Sequence, residues 1–573
     1  MKLWISWCLL LALAGSCSAL DREAFTFTNY DLQVRIEPEQ QRIGVRGTIA
    51  LRNDSQTPQK NAVLQISSSL TWRSIQADAK PLQFVSQPYE SDVDHTGELS
   101  EAIVALPKEI PPGGAVELTI GYEGVIVLDA SRLTRIGVRK EQAIHSDWDQ
   151  IDAHWTAVRG AGNVAWYPVA TESANLSDGN SLFETLDRWK KREQTAGMKI
   201  EFIHTHENVG GGALTLLCSQ EGRRLLEYMS RTQGEVTDCH FAPLGLRTPV
   251  FALGDYQILE APALLVAYRP EHKSKAEKFV QAAADAMPFA TDWFGAPREK
   301  AQVVELMDPG ASPYEGGSLL LTPFGDTDPK LIQIALVHDL THACFPSNRS
   351  WIYEGLAHFA QAAYRERQGN RQAALDFLGL HRAAVVDAEK VVGSRPKDAA
   401  HPEESLVSTT VDEFFRSKAA YVWWMLRDML GDEALKKALA SYRADHDTRE
   451  DFMPRLLQAQ SKRDLQWFFD DWIYRDRGLP DFRIESAFWR QTSEGNYLVT
   501  TTVENLGDAG AEVPVTAHFE GGDLSERVEV RGRSKTVVRI STPKPPTEIV
   551  VNDGSVPESD MGNNTFKVEA SKR

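Results

Sequence analysis

The sequence predicts a multidomain α+β protein, and three observations carry that expectation. Alternating apolar positions dominate the first part of the chain, apolar positions at three- and four-residue spacing dominate the middle, and alternation returns near the end. The chain has 573 residues, too many for one ordinary domain. Its composition is globular, with 42% apolar and 25% charged residues and 14 Trp, so large buried cores are available. The net charge of −18 comes without a basic stripe, which argues against a nucleic-acid partner.

The first stretch, "MKLWISWCLLLALAGSCSAL", has Lys2, an apolar run and then small residues. It reads as a secretory signal peptide over residues 1–19, with cleavage after Ala19. Cys17 offers an alternative, lipoprotein anchoring, although Ala14 stands where such signals usually carry Leu. The apolar run is shorter than the roughly 18–20 residues a membrane span needs, and no later segment is apolar enough to span. Export, whether secreted or periplasmic, permits disulfides. The remaining cysteines are Cys218, Cys239 and Cys344. Cys218 and Cys239 share one segment and read either as a disulfide or as two buried thiols. Cys344, next to Phe345, reads as core.

Residues 20–260 read as a β-domain: "YDLQVRIEPEQQRIGVRGTIALRN", "GAVELTIGYEGVIV" and "MKIEFIHTH" alternate between polar turns. Residues 261–369 mix the two periods. "KSKAEKFVQAAADAMPFATDWFG" is helical, and "QVVELM" and "GGSLLLTP" are strands. "DPKLIQIALVHDLTHACF" is a helix opened by Asp328 and Pro329 and closed by Pro346. A further helix begins near Trp351. Residues 370–483 are helical until "RGLPDF" breaks the pattern, and 484–573 return to β in a length that suits an immunoglobulin-like sandwich. Its acidic, turn-rich "VVNDGSVPESDMGNN" reads as a sandwich loop, because the regular Asp spacing of a calcium loop is missing.

The chemistry concentrates in "IALVHDLTHACFPSNRSWIYEGLAHFAQ", which starts at Ile334. His338 and His342 lie one helical turn apart and share a face, so they can present two imidazole nitrogens to one cation. Glu354, at the start of the next helix, is placed to add a carboxylate oxygen. Three protein ligands with one open position are the arrangement of catalytic zinc. The helix before His338 is strongly apolar (Ile332, Ile334, Leu336, Val337), and buried histidines need partners.

These residues resemble the gluzincin zinc metallopeptidases of the aminopeptidase N type, which carry His-Glu-x-x-His and a downstream Trp-x-x-Glu-Gly-x-Ala. The resemblance implies a single zinc ion on His338, His342 and Glu354, a peptide or protein substrate, and a thermolysin-like fold for residues 261–369. It extends more loosely over about residues 25–485, through "YDLQVRIEP", "FALGDYQILEAPALLVAYRPEH", "FATDWFGAPREKAQVVEL", "MLRDMLGDEAL" and "FFDDWIYRDRGLPDF".

The departures are specific. Asp339 stands where the family carries its general base, Glu, and is one methylene shorter. Its oxygens would fall roughly 1 Å short, a misplacement that can cost on the order of a hundredfold. The stretch Ala343–Tyr353 between second and third ligands is shorter than the family's usual link. The family's Gly-x-Met-Glu-Asn strand becomes "SPYEGGSLLL", where Glu315 is either the residue for a substrate α-amine or a solvated carboxylate. The family's intermediate-binding Tyr is replaced by Arg416, two residues before Lys418 in "FFRSKAAYVWWMLR"; Arg416 reads either as an oxyanion donor or as a surface ion-pair residue. Asp339 itself reads as general base or as a group that orients a ligand, and His358 as a hydrogen-bond partner of a ligand or as core. Two functions follow: an exported zinc peptidase with Asp339 as base, or a catalytically impaired zinc-binding relative that serves as a protein- or peptide-binding scaffold.

Overall fold

The computed structural model describes residues 20–204, 214–219, 223–225, 235–241, 243–394 and 404–568. The expected signal peptide, residues 1–19, and Cys17 lie outside these residues. The multidomain α+β class expected from the sequence is what the chain adopts.

The N-terminal region is built on a hairpin of Phe25–Glu37 and Arg42–Asn53, centred in an eight-stranded sheet. Alternation in the sequence becomes alternation across the sheet: Tyr30, Leu32, Val34 and Ile36 are buried, and Asp31 and Arg35 are exposed. A three-stranded sheet of Gln59–Ser67, Glu98–Ile110 and Phe84–Glu90 adds to it. Cys218 and Cys239 are bridged here, with Cα atoms 6.5 Å apart, and Cys344 is a free buried thiol.

This region is not all β. Helices span Ser131–Arg135, Lys140–Ser146 and Ser181–Glu193. The third has a helical period that the surrounding alternation conceals: Leu182, Leu186 and Trp189 bury one face of "SLFETLDRWKKRE". The hairpin of Gln257–Glu260 with Leu264–Tyr268 crosses the boundary drawn at residue 260, so the next sheet begins at Gln257.

That next sheet has five strands in the order Gln257–Glu260, Leu264–Tyr268, Ala301–Leu306, Leu319–Pro323, Tyr314–Gly316. The middle three are parallel, and every residue of Ala301–Leu306 is buried, as a central strand covered on both faces requires. Tyr314–Gly316 is an antiparallel edge strand. Helices Lys273–Phe294 and Pro329–Cys344 pack against each other beside this sheet. The Asp328 carboxylate accepts from the Lys330 amide at 2.9 Å and caps the second of them, the histidine helix. Ser350–Gln368, the glutamate helix, packs on it.

Helices Arg371–Gly393, Ala419–Leu430, Asp432–Ser441 and Phe452–Gln458 follow. The tail forms one three-stranded and one four-stranded sheet, and none of its strands joins an N-terminal sheet among the described residues. One hydrophobic core runs from Ala24 to Leu253; another runs continuously from Ala263 through the helices into the tail. The tail loop leaves little for a cation: Glu558 is buried and accepts from the Asn552 and Asn564 side chains and the Phe482 amide. No helix among the described residues is long and apolar enough to cross a membrane.

Candidate metal centre

The histidine helix is buried on almost all sides from Leu336 to Cys344, so His338, Asp339 and His342 are carried into the interior by the apolar residues around them. The glutamate helix starts after a short loop, residues 345–349, and brings Glu354 up to the same point. The His338 and His342 Nε2 atoms are 3.1 Å apart, and each lies 3.8 Å from a Glu354 carboxylate oxygen. One ligand atom from each residue falls within 4.8 Å of the other two. Tetrahedral zinc with bonds of about 2.0–2.2 Å separates its ligand atoms by about 3.4 Å, so the set fits.

The surrounding polar atoms support that fit. Both Nδ1 atoms, Glu354 Oε2 and both Asp339 carboxyl oxygens are buried without a hydrogen-bond partner. Buried polar groups are nearly always paired, and the three orphaned carboxyl oxygens mark an incomplete site; the two Nδ1 atoms lie on the far edge of each ring, where a cation on Nε2 does not reach them. The rings are held by stacking rather than by hydrogen bonds at Nδ1. Tyr353 lies over His342 with ring centroids 3.8 Å apart, and His358 meets His338 edge-on at 5.0 Å.

Electrostatics divide the residues by role. Burial pushes the Asp339 carboxyl well up, and the Glu315 and Glu354 carboxylates add to it. Burial pushes His342 well down, with His338, Arg247 and Arg416 acting in the same direction, which favours the neutral form that a metal ligand needs. Burial acts to raise Glu354, but Arg416 and the histidines outweigh it and hold that carboxylate below its usual range.

The sequence-derived candidates gather here. Glu315 points its carboxylate at the centre, 3.7 Å from His338 Nε2. Arg416, in a π-helical turn of Phe414–Lys418, lies 3.6 Å from Glu354 and 3.4 Å from Asp412; it is an ion-pair partner of a ligand rather than a peripheral surface residue. His358 does not hydrogen-bond a ligand. Its Nδ1 pairs with Gln361 at 3.1 Å, and Gln361 in turn donates to the Ile334 carbonyl. Helical spacing put it on the right face, but the ring is turned toward the next turn of its own helix. Lys418 is buried between Glu389 and Asp476, at 2.5 and 2.6 Å, and acts in packing.

Two contributors escaped the sequence reading. Tyr353 looked like the aromatic that precedes Glu354; its stacking on His342 depends on the next helix's entry angle. The Ser181–Glu193 helix reaches across from the N-terminal region, where Asn180 donates to Glu413 at 3.1 Å and Lys191 to the Ser408 carbonyl at 2.9 Å. It sets Asp187 near the centre, where burial raises its carboxyl to about 7. The N-terminal region also fixes the edge strand: Trp148 donates to the Ser312 carbonyl at 3.0 Å, and the Arg159 guanidinium faces the Tyr314 ring at 5.6 Å.

No protein-family model matches the chain. Among solved structures, it is similar to a mutant of an M1 zinc metallopeptidase from Deinococcus radiodurans bound to a Tyr-Ser-Ala substrate, at 15% identity and a TM-score of 0.47, over 80% of this chain and 96% of that one. A second structure of a mutant of an M1 zinc metallopeptidase from the same organism gives 15% identity and a TM-score of 0.46 over the same shares. These similarities are too low to assign a role to any residue here.

Proposed function

We propose that the chain is an exported zinc-dependent metallopeptidase of the aminopeptidase kind. The observation that carries the reading is the convergence of His338, His342 and Glu354 beside a buried, unpartnered Asp339. Zinc held by those three residues would polarise a scissile carbonyl and acidify a water molecule. Asp339 is the only carboxyl on the histidine helix at that point, and it accepts the proton of the attacking water and returns it to the leaving amine. A divalent cation at the centre would offset the burial and like-charge repulsion that raise the Asp339 carboxyl. Glu315, on the open side of the centre, is placed to hold a substrate amine. Arg416 stays on Glu354, from where it supplies positive charge to the developing oxyanion. The Cys218–Cys239 bridge supports an oxidising compartment and therefore export.

The scaffold reading is favoured by one observation: Arg416 is tied to Asp412 and Glu354 rather than free to meet substrate. Zinc-loaded wild type, Asp339→Glu and Asp339→Asn, assayed on an aminoacyl amide and on casein, separate the two. As a peptidase, the wild type is slow, Glu raises turnover by up to about a hundredfold, and Asn abolishes it. No turnover in wild type or the Glu variant, with zinc bound stoichiometrically, removes the hydrolase and leaves the scaffold.

A further inference from the structure

The metal centre has two unlike sides. On the His338 side stands the Glu315 carboxylate. On the His342 side stands the Tyr353 ring, and behind it opens a cavity of about 1170 Å3 that Tyr353 and Arg247 line. The edge strand connects the two sides. It carries Glu315 at the candidate metal centre, and two residues later Gly317, with φ +71°, opens the tight turn that leads into Leu319–Pro323. A methyl group on Gly317 would lie 2.5 Å from the Tyr353 hydroxyl and 3.8 Å from Arg247 Cγ, so these three residues meet at the inner end of the cavity. As the last strand in its sheet order, Tyr314–Gly316 has a free edge among the described residues, on which an extended peptide can lie.

The chemistry at that inner end is selective. Tyr353 is 6% exposed, and its hydroxyl lies against Arg247, from which it can only accept, so its own proton has no acceptor. Arg247 is held in place by Glu299, with nitrogens 3.0 and 3.1 Å from its carboxylate oxygens. Further out, the acids of the lining already have partners: Asp292 and Glu433 share Lys436, and Asp445 has His446. Arg298 and Lys437, also in the lining, make no ion pair among the described residues. A buried hydroxyl donor beside an oriented guanidinium matches a carboxylate.

We infer that the cavity holds the part of the substrate beyond the scissile bond, and that Tyr353 and Arg247 bind the C-terminal carboxylate of short peptides. With the amine at Glu315 and the scissile bond at the metal, only one or two residues fit before Tyr353 and Arg247 are reached. The substrates are therefore di- and tripeptides with a free C-terminus. This rests on the peptidase reading, which fixes the direction of the peptide, but its test does not require turnover.

The test is calorimetric binding of Ala-Gly-Gly and of its C-terminal amide to zinc-loaded protein in the Asp339→Asn background. The free acid is expected to bind at least about tenfold tighter, the size of one charge-assisted hydrogen bond. Arg247→Gln should bring the two peptides within about twofold of each other. Tyr353→Phe should lower the preference several-fold while Arg247 stays held by Glu299. Equal binding of acid and amide, binding of neither, or a preference that survives Arg247→Gln overturns the inference. Turnover of Ala-Gly-Gly by wild type together with equal binding would sink this inference and spare the peptidase; a preference without turnover would do the reverse.

Discussion

Two clusters of buried charge, one in the N-terminal region and one at the candidate metal centre, are built in opposite ways. In the N-terminal region, Arg132 donates to both Asp147 oxygens at 2.7 and 2.8 Å and to the carbonyls of Asp92 and Gly162. Arg159 lies on Asp149 in the same manner, at 2.6 to 3.2 Å. No fully buried side-chain atom of these four residues is left without a partner. At the metal centre, Asp339 has none, and His338, His342 and Glu354 each keep an orphaned atom. Both clusters carry the desolvation cost of burial, but only the first recovers it internally. A self-satisfied cluster holds loops together; an unsatisfied one is stable enough to persist only because the apolar core around it is large, and it is poised for a ligand.

The largest expected effect lies in the satisfied cluster. Arg132→Met leaves Asp147 buried and unpaired and should cost about 3–5 kcal/mol of stability, with or without zinc. Chemical denaturation checks this; a loss smaller than about 1 kcal/mol, or one that zinc abolishes, would break the contrast.

The smaller effect concerns pH. Burial lowers the His342 and His358 pKa well below the unfolded value, so both stay neutral in the fold. The unfolded chain then binds more protons below about pH 6.5, and the stability contributed above that pH is lost as the pH falls toward the depressed values. Acidifying the metal-free protein from about pH 7 to about pH 5 should destabilise it by about 2 kcal/mol per histidine, and His358→Leu should flatten part of that slope. An unchanged slope in the variant would show that His358 does not carry it.

Much of the centre was legible because its spacing is local. His338 and His342 share a helical face at one-turn spacing, and Glu354 opens the next helix, so three ligands follow from one stretch of sequence. The strands of the N-terminal region and the tail were legible through the same short-range rule, alternation. What stayed hidden depends on distant segments. The cavity is walled by residues near 245, 295, 346 and 440, which no local pattern joins. Arg416 reaches Glu354 through a π-helical turn that shifts its side chain off the regular helical position. The Ser181–Glu193 helix was masked by the alternating segments around it, although Leu182, Leu186 and Trp189 carried its period.

The central claim is that the unsatisfied cluster is a metal site, and zinc binding tests it most directly. Metal analysis after dialysis, combined with X-ray absorption of the zinc-loaded protein, should give one zinc per chain with two imidazole nitrogens and carboxylate oxygen at about 2.0–2.2 Å. His338→Ala should lose that zinc while Arg132→Met, where folded, retains it. Absence of bound zinc in wild type, or equal zinc in the His338→Ala variant, would contradict the account.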